Sequence, residues 1–215
     1  MPSEQPRVFA AKDLVVLTGA DVVRKRPRMY YGVDQDDPAL PGAVLRSVVQ
    51  GVLHVPPARE SLEIVVTISG DLVFSVHDNG GGMSPHTGHP AQRPDPEAML
   101  TTIHAGHDDR AGEIGPAATL CRRVEVWTHW EGVAYATEMA ADRTVTPLRE
   151  LGPATEEGTK IRMWLDPEYF APGARLPVPT SELTDSLLEA RKRPADRVTF
   201  IDERLSGLRS GRGQV

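Results

Sequence analysis

An α+β fold, a two-layer α/β sandwich with one sheet covered by helices on one face, is what the sequence predicts, and three observations carry it. Apolar residues recur at helical spacing in an early segment, at Val44, Leu45, Val48, Val49 and Val52. Strand-like runs then dominate the middle of the chain, and a second amphipathic helical pattern closes it, with Leu183, Leu187 and Leu188 on one side. Strands in succession with helices before and after must bury one sheet face under those helices.

Residues 1–12 read as a flexible arm, 13–208 as a single domain and 209–215 as a disordered Gly/Arg/Ser tail. Helical spacing of Leu14, Leu17 and Val22 predicts a helix over 13–23, leading into the basic cluster Arg24-Lys25-Arg26-Pro27-Arg28. After an acidic loop at 34–37, the second helix covers 43–54 and stops at Pro56-Pro57. Two strands, 61–69 and 72–77, form a hairpin through Gly70-Asp71. A proline-rich loop at 84–96 and a short helix at 96–104 precede a Gly- and charge-rich mobile stretch, 105–115, and another short helix at 116–122. Strands follow at 124–129, 133–139 and 159–165, then a helix at 181–193 capped by Thr180 or Ser181, and a last strand at 197–202.

The chain has 215 residues, 40% of them hydrophobic and 25% charged, as in ordinary soluble globular proteins. Its net charge of -6 argues against direct DNA binding by the whole surface. Cys121 is the single cysteine, which excludes an intramolecular disulfide and a cysteine-built metal site. With neither a membrane-spanning run nor a signal peptide in view, a cytoplasmic protein with no membrane partner is expected. The histidines show no zinc spacing, and the aromatic pairs Tyr30-Tyr31 and Trp127/Trp130 read as packing.

The stretch that carries chemistry is Val76-His77-Asp78-Asn79-Gly80-Gly81-Gly82-Met83. An alternating strand ends on a carboxylate, and three glycines then let the backbone approach a ligand closely. An Asx-type turn closing a hairpin uses the same residues, so by itself the octapeptide supports either reading.

Four segments in order, Val22 to Gly32, Asp78 to Met83, Ile103-His104-Ala105-Gly106 and Glu157-Gly158-Thr159-Lys160-Ile161-Arg162, resemble the ATP-binding domain of the DNA gyrase B subunit. That domain belongs to the GHKL (Bergerat) class, which topoisomerase IV shares. The resemblance implies a mixed, mostly antiparallel sheet and a nucleotide site at Asp78, Gly80, Gly82, Met83 and Thr159, with Gly112 and Gly115 in the phosphate lid. Within it, Asp78 would accept from an adenine amino group, with Gly82 and Thr159 sharing a water.

The departures from the family pattern are as informative. Without a gap from Ser47 to Asp78, Ser47 takes the place of the family's general-base glutamate and Gly51 that of its magnesium-binding asparagine. A family ion pair is absent at both ends, at Val55 and Gly81, and the lid is altered by Pro116 and Ala117. ATP or ADP is thus the implied ligand, with magnesium dependence not expected, and no catalytic residue is assigned. The chain matches the first domain of the gyrase B protein and is expected to lack its transducer and topoisomerase domains, which favours a monomer or weak homodimer.

Three functions follow: a non-hydrolysing, regulatory module for an adenine nucleotide or related small ligand; an interaction module with a vestigial pocket, its protein partner possibly gyrase; or an ATPase with a relocated base, Glu60 or Glu63.

Overall fold

The computed structural model describes residues 17–54, 61–86, 95–103, 111–189 and 195–205. The arm at 1–12 and the tail at 209–215 lie outside them, as does most of the stretch 105–115. The sheet is seven-stranded and ordered β5-β4-β3-β6-β2-β1-β7. Its strands are β1 (Glu63–Gly70), β2 (Val73–Asp78), β3 (Cys121–Trp130), β4 (Val133–Met139), β5 (Arg149–Pro153), β6 (Thr159–Leu165) and β7 (Arg197–Asp202). Only β1 and β7 pair in parallel; the other neighbours are antiparallel.

The first helix, α1, covers Gly19–Lys25, not 13–23, because Thr18 starts it. The Thr18 hydroxyl accepts from Asp21 N, and the Asp21 carboxylate accepts from Thr18 N, a capping box read from Thr-x-x-Asp. A helix absent from the sequence expectation, α2 (Pro27–Tyr31), follows at once. It begins on proline and ends on Gly32 at a φ of 75°, which are helix boundary signals. The basic cluster is part of the fold here. Arg24 donates to Thr119 O at 3.0 Å, pairs with Asp166 at 3.1 Å and lies 4.6 Å from the Tyr169 ring centroid. Arg28 pairs with Asp34 on the surface.

The central helix, α3 (Leu40–His54), buries Val44, Leu45, Val48, Val49 and Val52, the stripe that predicted it. It packs on β2 and against α5. Under it lie Ile64, Val66 and Ile68 of β1, Phe74 and Val76 of β2, Val124 and Val126 of β3, and Ile161, Met163 and Leu165 of β6. These alternate along their strands, so one face of the sheet is the core.

The next two helices are shorter or displaced relative to expectation. Helix α4 (Pro96–Thr101) is capped by Asp95, whose carboxylate accepts from Ala98 N at 2.8 Å. Helix α5 (Ala111–Ala118) occupies part of the expected mobile stretch and contains Pro116, whereas Cys121 and Arg122, assigned to helix by sequence, open β3. A proline there read as a helix start; the helix has already begun before it. Helix α6 (Ser181–Glu189) is capped by Thr180, whose hydroxyl accepts from Leu183 N at 3.2 Å. Strand β5 was not anticipated, since Arg149-Glu150-Leu151-Gly152-Pro153 is polar and exposed. Pairing with β4 makes it a strand, and its proline fits an edge. Among the described residues no helix is long and apolar enough to cross a membrane.

Cys121 is buried and its thiol donates to Ala117 O at 3.3 Å; burial pushes its ionisation far above the ordinary thiol range. Iodoacetamide at neutral pH should therefore leave the folded protein unmodified and label it only after denaturation, as read by intact mass. Fast labelling of native protein would contradict the described packing.

His77 lies half-buried on the face away from the helices, paired in register with Lys160. Burial first, then the Lys160 ammonium, holds its imidazole below its ordinary value. The folded state thus refuses a proton that the unfolded chain accepts, so stability falls as pH drops below about 6.5. Urea midpoints at about pH 7 and about pH 5 should differ less for His77→Gln than for the wild type.

Candidate functional site

Five strands bring one residue each into a single cross-strand row, Ile64, Asp78, Thr159, Thr128 and Tyr135. Asp78 ends β2, Thr159 opens β6, and Thr128 lies near the end of β3. All three are buried on the helix-covered face, with Asp78 8% exposed and Thr128 0%. Three polar side chains side by side in a hydrophobic layer need partners, and each has them. Oδ1 of Asp78 accepts from Gly80 N at 2.7 Å. Thr128 Oγ1 and Thr159 Oγ1 are 2.9 Å apart, and Thr128 also accepts from Met83 N at 2.6 Å.

The loop after β2 is set by backbone pairing and by glycine. Asn79 extends the hairpin: its N–H donates to Glu63 O, and its side-chain oxygen accepts from Glu63 N at 2.9 Å. Gly82 has a φ of 69°, and a side chain there would overlap the carbonyl oxygen of His129. On the opposite wall Gly158 has a φ of 97°, where a Cβ would overlap the carbonyl oxygen of Asp78. Gly158 O in turn accepts from His129 N at 3.0 Å. Two glycines in left-handed backbone thus let two loops close onto the ends of β2 and β3. Met83 is buried beside them.

The sequence singled out Asp78, Gly80, Gly82, Met83 and Thr159, and the fold gathers all five in this corner. Thr128 was missed. Its signal was a polar residue continuing the buried alternation Val124, Val126, Thr128.

With this geometry in place, similarity to known proteins can be read onto it. No family model matches the chain. The chain is 30% identical over 181 residues to the DNA topoisomerase 4 B subunit of Caulobacter vibrioides, covering 78% of this chain and 26% of that protein. The chain is a homologue of the B subunits of DNA gyrase and topoisomerase IV. The DNA gyrase B subunit of Clostridium acetobutylicum is 29% identical over 182 residues, 78% of this chain and 28% of its own. The DNA gyrase B subunit of Mycolicibacterium smegmatis is 27% identical over 213 residues, 94% of this chain and 29% of its own. The chain therefore spans between a quarter and a third of the length of these gyrase-type relatives. Its mixed, mostly antiparallel sheet under helices is consistent with a GHKL sandwich.

The gyrase-type helix α3 is where this chain is chemically bare. Its sequence from Leu40 to His54, LPGAVLRSVVQGVLH, contains neither aspartate nor glutamate, whatever alignment is chosen. Ser47 and Gly51 lie one turn apart on it; Gly51 is buried, and half-buried Ser47 lines an outer cleft of about 810 Å³ with Tyr30, Arg46, Gln50 and Leu183. Val55 lies outside the described residues. Gly112 and Gly115 sit within α5, and Gly115 lies where α5 crosses the end of α4: a Cβ there would overlap the carbonyl oxygen of Thr102.

Gly82→Ala should destabilise the protein by about 3 kcal/mol or more, since it adds φ strain to a backbone overlap. Gly32→Ala, at a φ of 75° with open space around it, should lose only about 1 kcal/mol. Denaturant midpoints of the two variants measure the difference, and equal losses would mean that the Gly82 loop does not seat on β3 as described.

Proposed function

We propose that this chain is a gyrase B-like domain, centred on residues 13–208, that binds an adenine nucleotide or a related small ligand without efficient hydrolysis and acts as a regulatory pseudo-ATPase. The observation that carries the reading is a contrast between two elements. A buried carboxylate, Asp78, stands beside the Thr159 hydroxyl at a strand end, whereas α3 holds no acidic side chain.

Gly80 N–H fixes one oxygen of Asp78, which orients the carboxylate to accept from an exocyclic amine. Buried Met83 supplies apolar surface next to this polar edge, and glycines with no side chain let the ligand approach the backbone. Hydrolysis needs a base within hydrogen-bond reach of the attacking water, and a serine at position 47 cannot take that proton at neutral pH. A hard cation takes oxygen ligands, and Gly51 offers no side-chain oxygen. Where ADP or ATP is the ligand, affinity in this reading does not depend on magnesium. Pro116 within α5 removes one N–H from the segment that would hold phosphates, which favours recognition through the base.

A relocated base is disfavoured. Glu63 is exposed on the sheet face opposite Ile64 and Asp78, and Glu60 lies outside the described residues.

Calorimetry with ADP and ATP, with and without magnesium, tests the proposal together with a phosphate-release assay. Magnesium-independent binding without phosphate release is expected. Asp78→Asn should remove measurable affinity, a loss on the order of 2–3 kcal/mol, because an amide presents a donor where the amine needs an acceptor. Sustained phosphate release by the purified protein would overturn the reading. Failure to bind either nucleotide would instead favour an interaction module.

A further inference from the structure

Arg143 carries two anomalies at once. It lies in the turn after β4 with a φ of 69°, left-handed backbone that a residue other than glycine adopts at a cost. The turn enforces this: Arg143 N donates to Ala140 O at 2.9 Å, Ala140 N to Thr144 O at 2.9 Å, and Thr144 N to the Asp142 carboxylate at 3.0 Å. The second anomaly is polar. Nη1 of Arg143 is buried, and among the described residues it has no hydrogen-bond partner. Backbone strain and an unsatisfied buried donor each work against folding, and each marks a position kept for another purpose.

Arg143 lines a cleft of about 610 Å³ with the start of α1 and the end of α4, where Thr18, Ala20, Asp21, Arg24 and Ile103 form part of the wall. The charged neighbours are already committed. Arg24 donates to Thr119 O and to the Asp166 carboxylate, and the Asp21 carboxylate accepts from the Thr18 N–H and O–H. Burial first, then the Arg24 guanidinium, works against the charge of Arg143, and Asp21 favours it. A negative oxygen acceptor beside Arg143 would satisfy the donor and offset both adverse effects. With Arg24 balanced by Asp166, and Asp21 in the same cleft, a singly charged carboxylate is favoured over a doubly charged phosphate.

We propose that this cleft binds the carboxylate of a small acid. One oxygen accepts from Nη1 of Arg143 and the other from a second N–H of the same planar fork, while the apolar part of the ligand rests on Ala20 and Ile103. The cleft is separate from the Asp78 corner. That corner aligns with Tyr135 near the start of β4, whereas Arg143 follows the other end of the strand, beyond Met139. Carboxylate binding therefore does not depend on the nucleotide reading.

An NMR titration of the full chain tests the site, with isobutyrate as the probe, isobutyramide as its neutral isostere and inorganic phosphate as the more highly charged alternative. Isobutyrate should shift the amide signals of Ile103 and Arg143 saturably, in the millimolar range open to so small a ligand, and bind on the order of tenfold more tightly than either comparison compound. Arg143→Gly should abolish this binding without lowering the thermal midpoint, since glycine accepts the left-handed backbone. Arg143→Lys, which keeps the charge and loses the fork, should bind isobutyrate on the order of tenfold more weakly. Equal binding of isobutyramide, tighter binding of phosphate, or unchanged isobutyrate affinity in either variant would overturn the proposal. A lowered midpoint or failure to fold in Arg143→Gly would also overturn it, because that loss is what a guanidinium kept for packing produces.

Discussion

The closure of two glycine-hinged loops onto the ends of β2 and β3 is the constraint on which the site depends. Gly82 lies against the His129 carbonyl and Gly158 against the Asp78 carbonyl. With that backbone contact made, Met83 N reaches Thr128, His129 N reaches Gly158 O, and Asp78 is held in register with Thr159. The polar row is tolerated inside an apolar layer because the same loops supply its hydrogen bonds. The contacts that seat the loops and those that satisfy the polar row therefore use the same atoms, and a residue that perturbs one perturbs the other.

The architecture was legible wherever one element carried its own signal. The α3 stripe, the alternation of β2 and β6, and the Asp78 to Met83 loop could all be read along the chain, because periodicity and glycine are local properties. The misses have specific causes. The true start of α1 was set by a capping box using aspartate at the third position, α2 was only five residues long, and β5 is a strand because β4 pairs with it rather than because of its own composition. Helix α5 begins before its proline, which sequence reading treated as a boundary. Thr128 was invisible as a site residue because its role comes from register: 50 residues separate Asp78 from Thr128, and β6 lies between them in the sheet.

The bareness of α3 fits what holds the rest together. Its buried stripe is aliphatic, mostly valine, and its exposed side offers Arg46, Ser47 and Gln50 rather than carboxylates. Elsewhere the chain uses charge to anchor its own segments. Arg24 joins α1 to the turn before β3 and to Asp166, and Arg204 grips Asp202 at 2.6 Å while donating to Leu176 O and Pro177 O. These pairs are partly screened from solvent and hydrogen-bonded, the condition under which an ion pair fixes geometry. The folded framework thus keeps its electrostatic ties while α3 carries no acidic side chain.

The parallel seat of β7 beside β1 has a consequence for how the molecule comes into being. Leu62 N bonds to the Asp196 carboxylate, a partner 134 residues away, and Arg197 N returns a bond to Leu62 O. Closure over such separation is slow, because chain entropy must be surrendered before the contacts form. During synthesis the outer rim of β1 stays uncovered until almost all of the described chain has left the ribosome. In that interval an aliphatic strand edge is open to pairing with other nascent chains, and the yield of native protein depends on how quickly its last strand arrives.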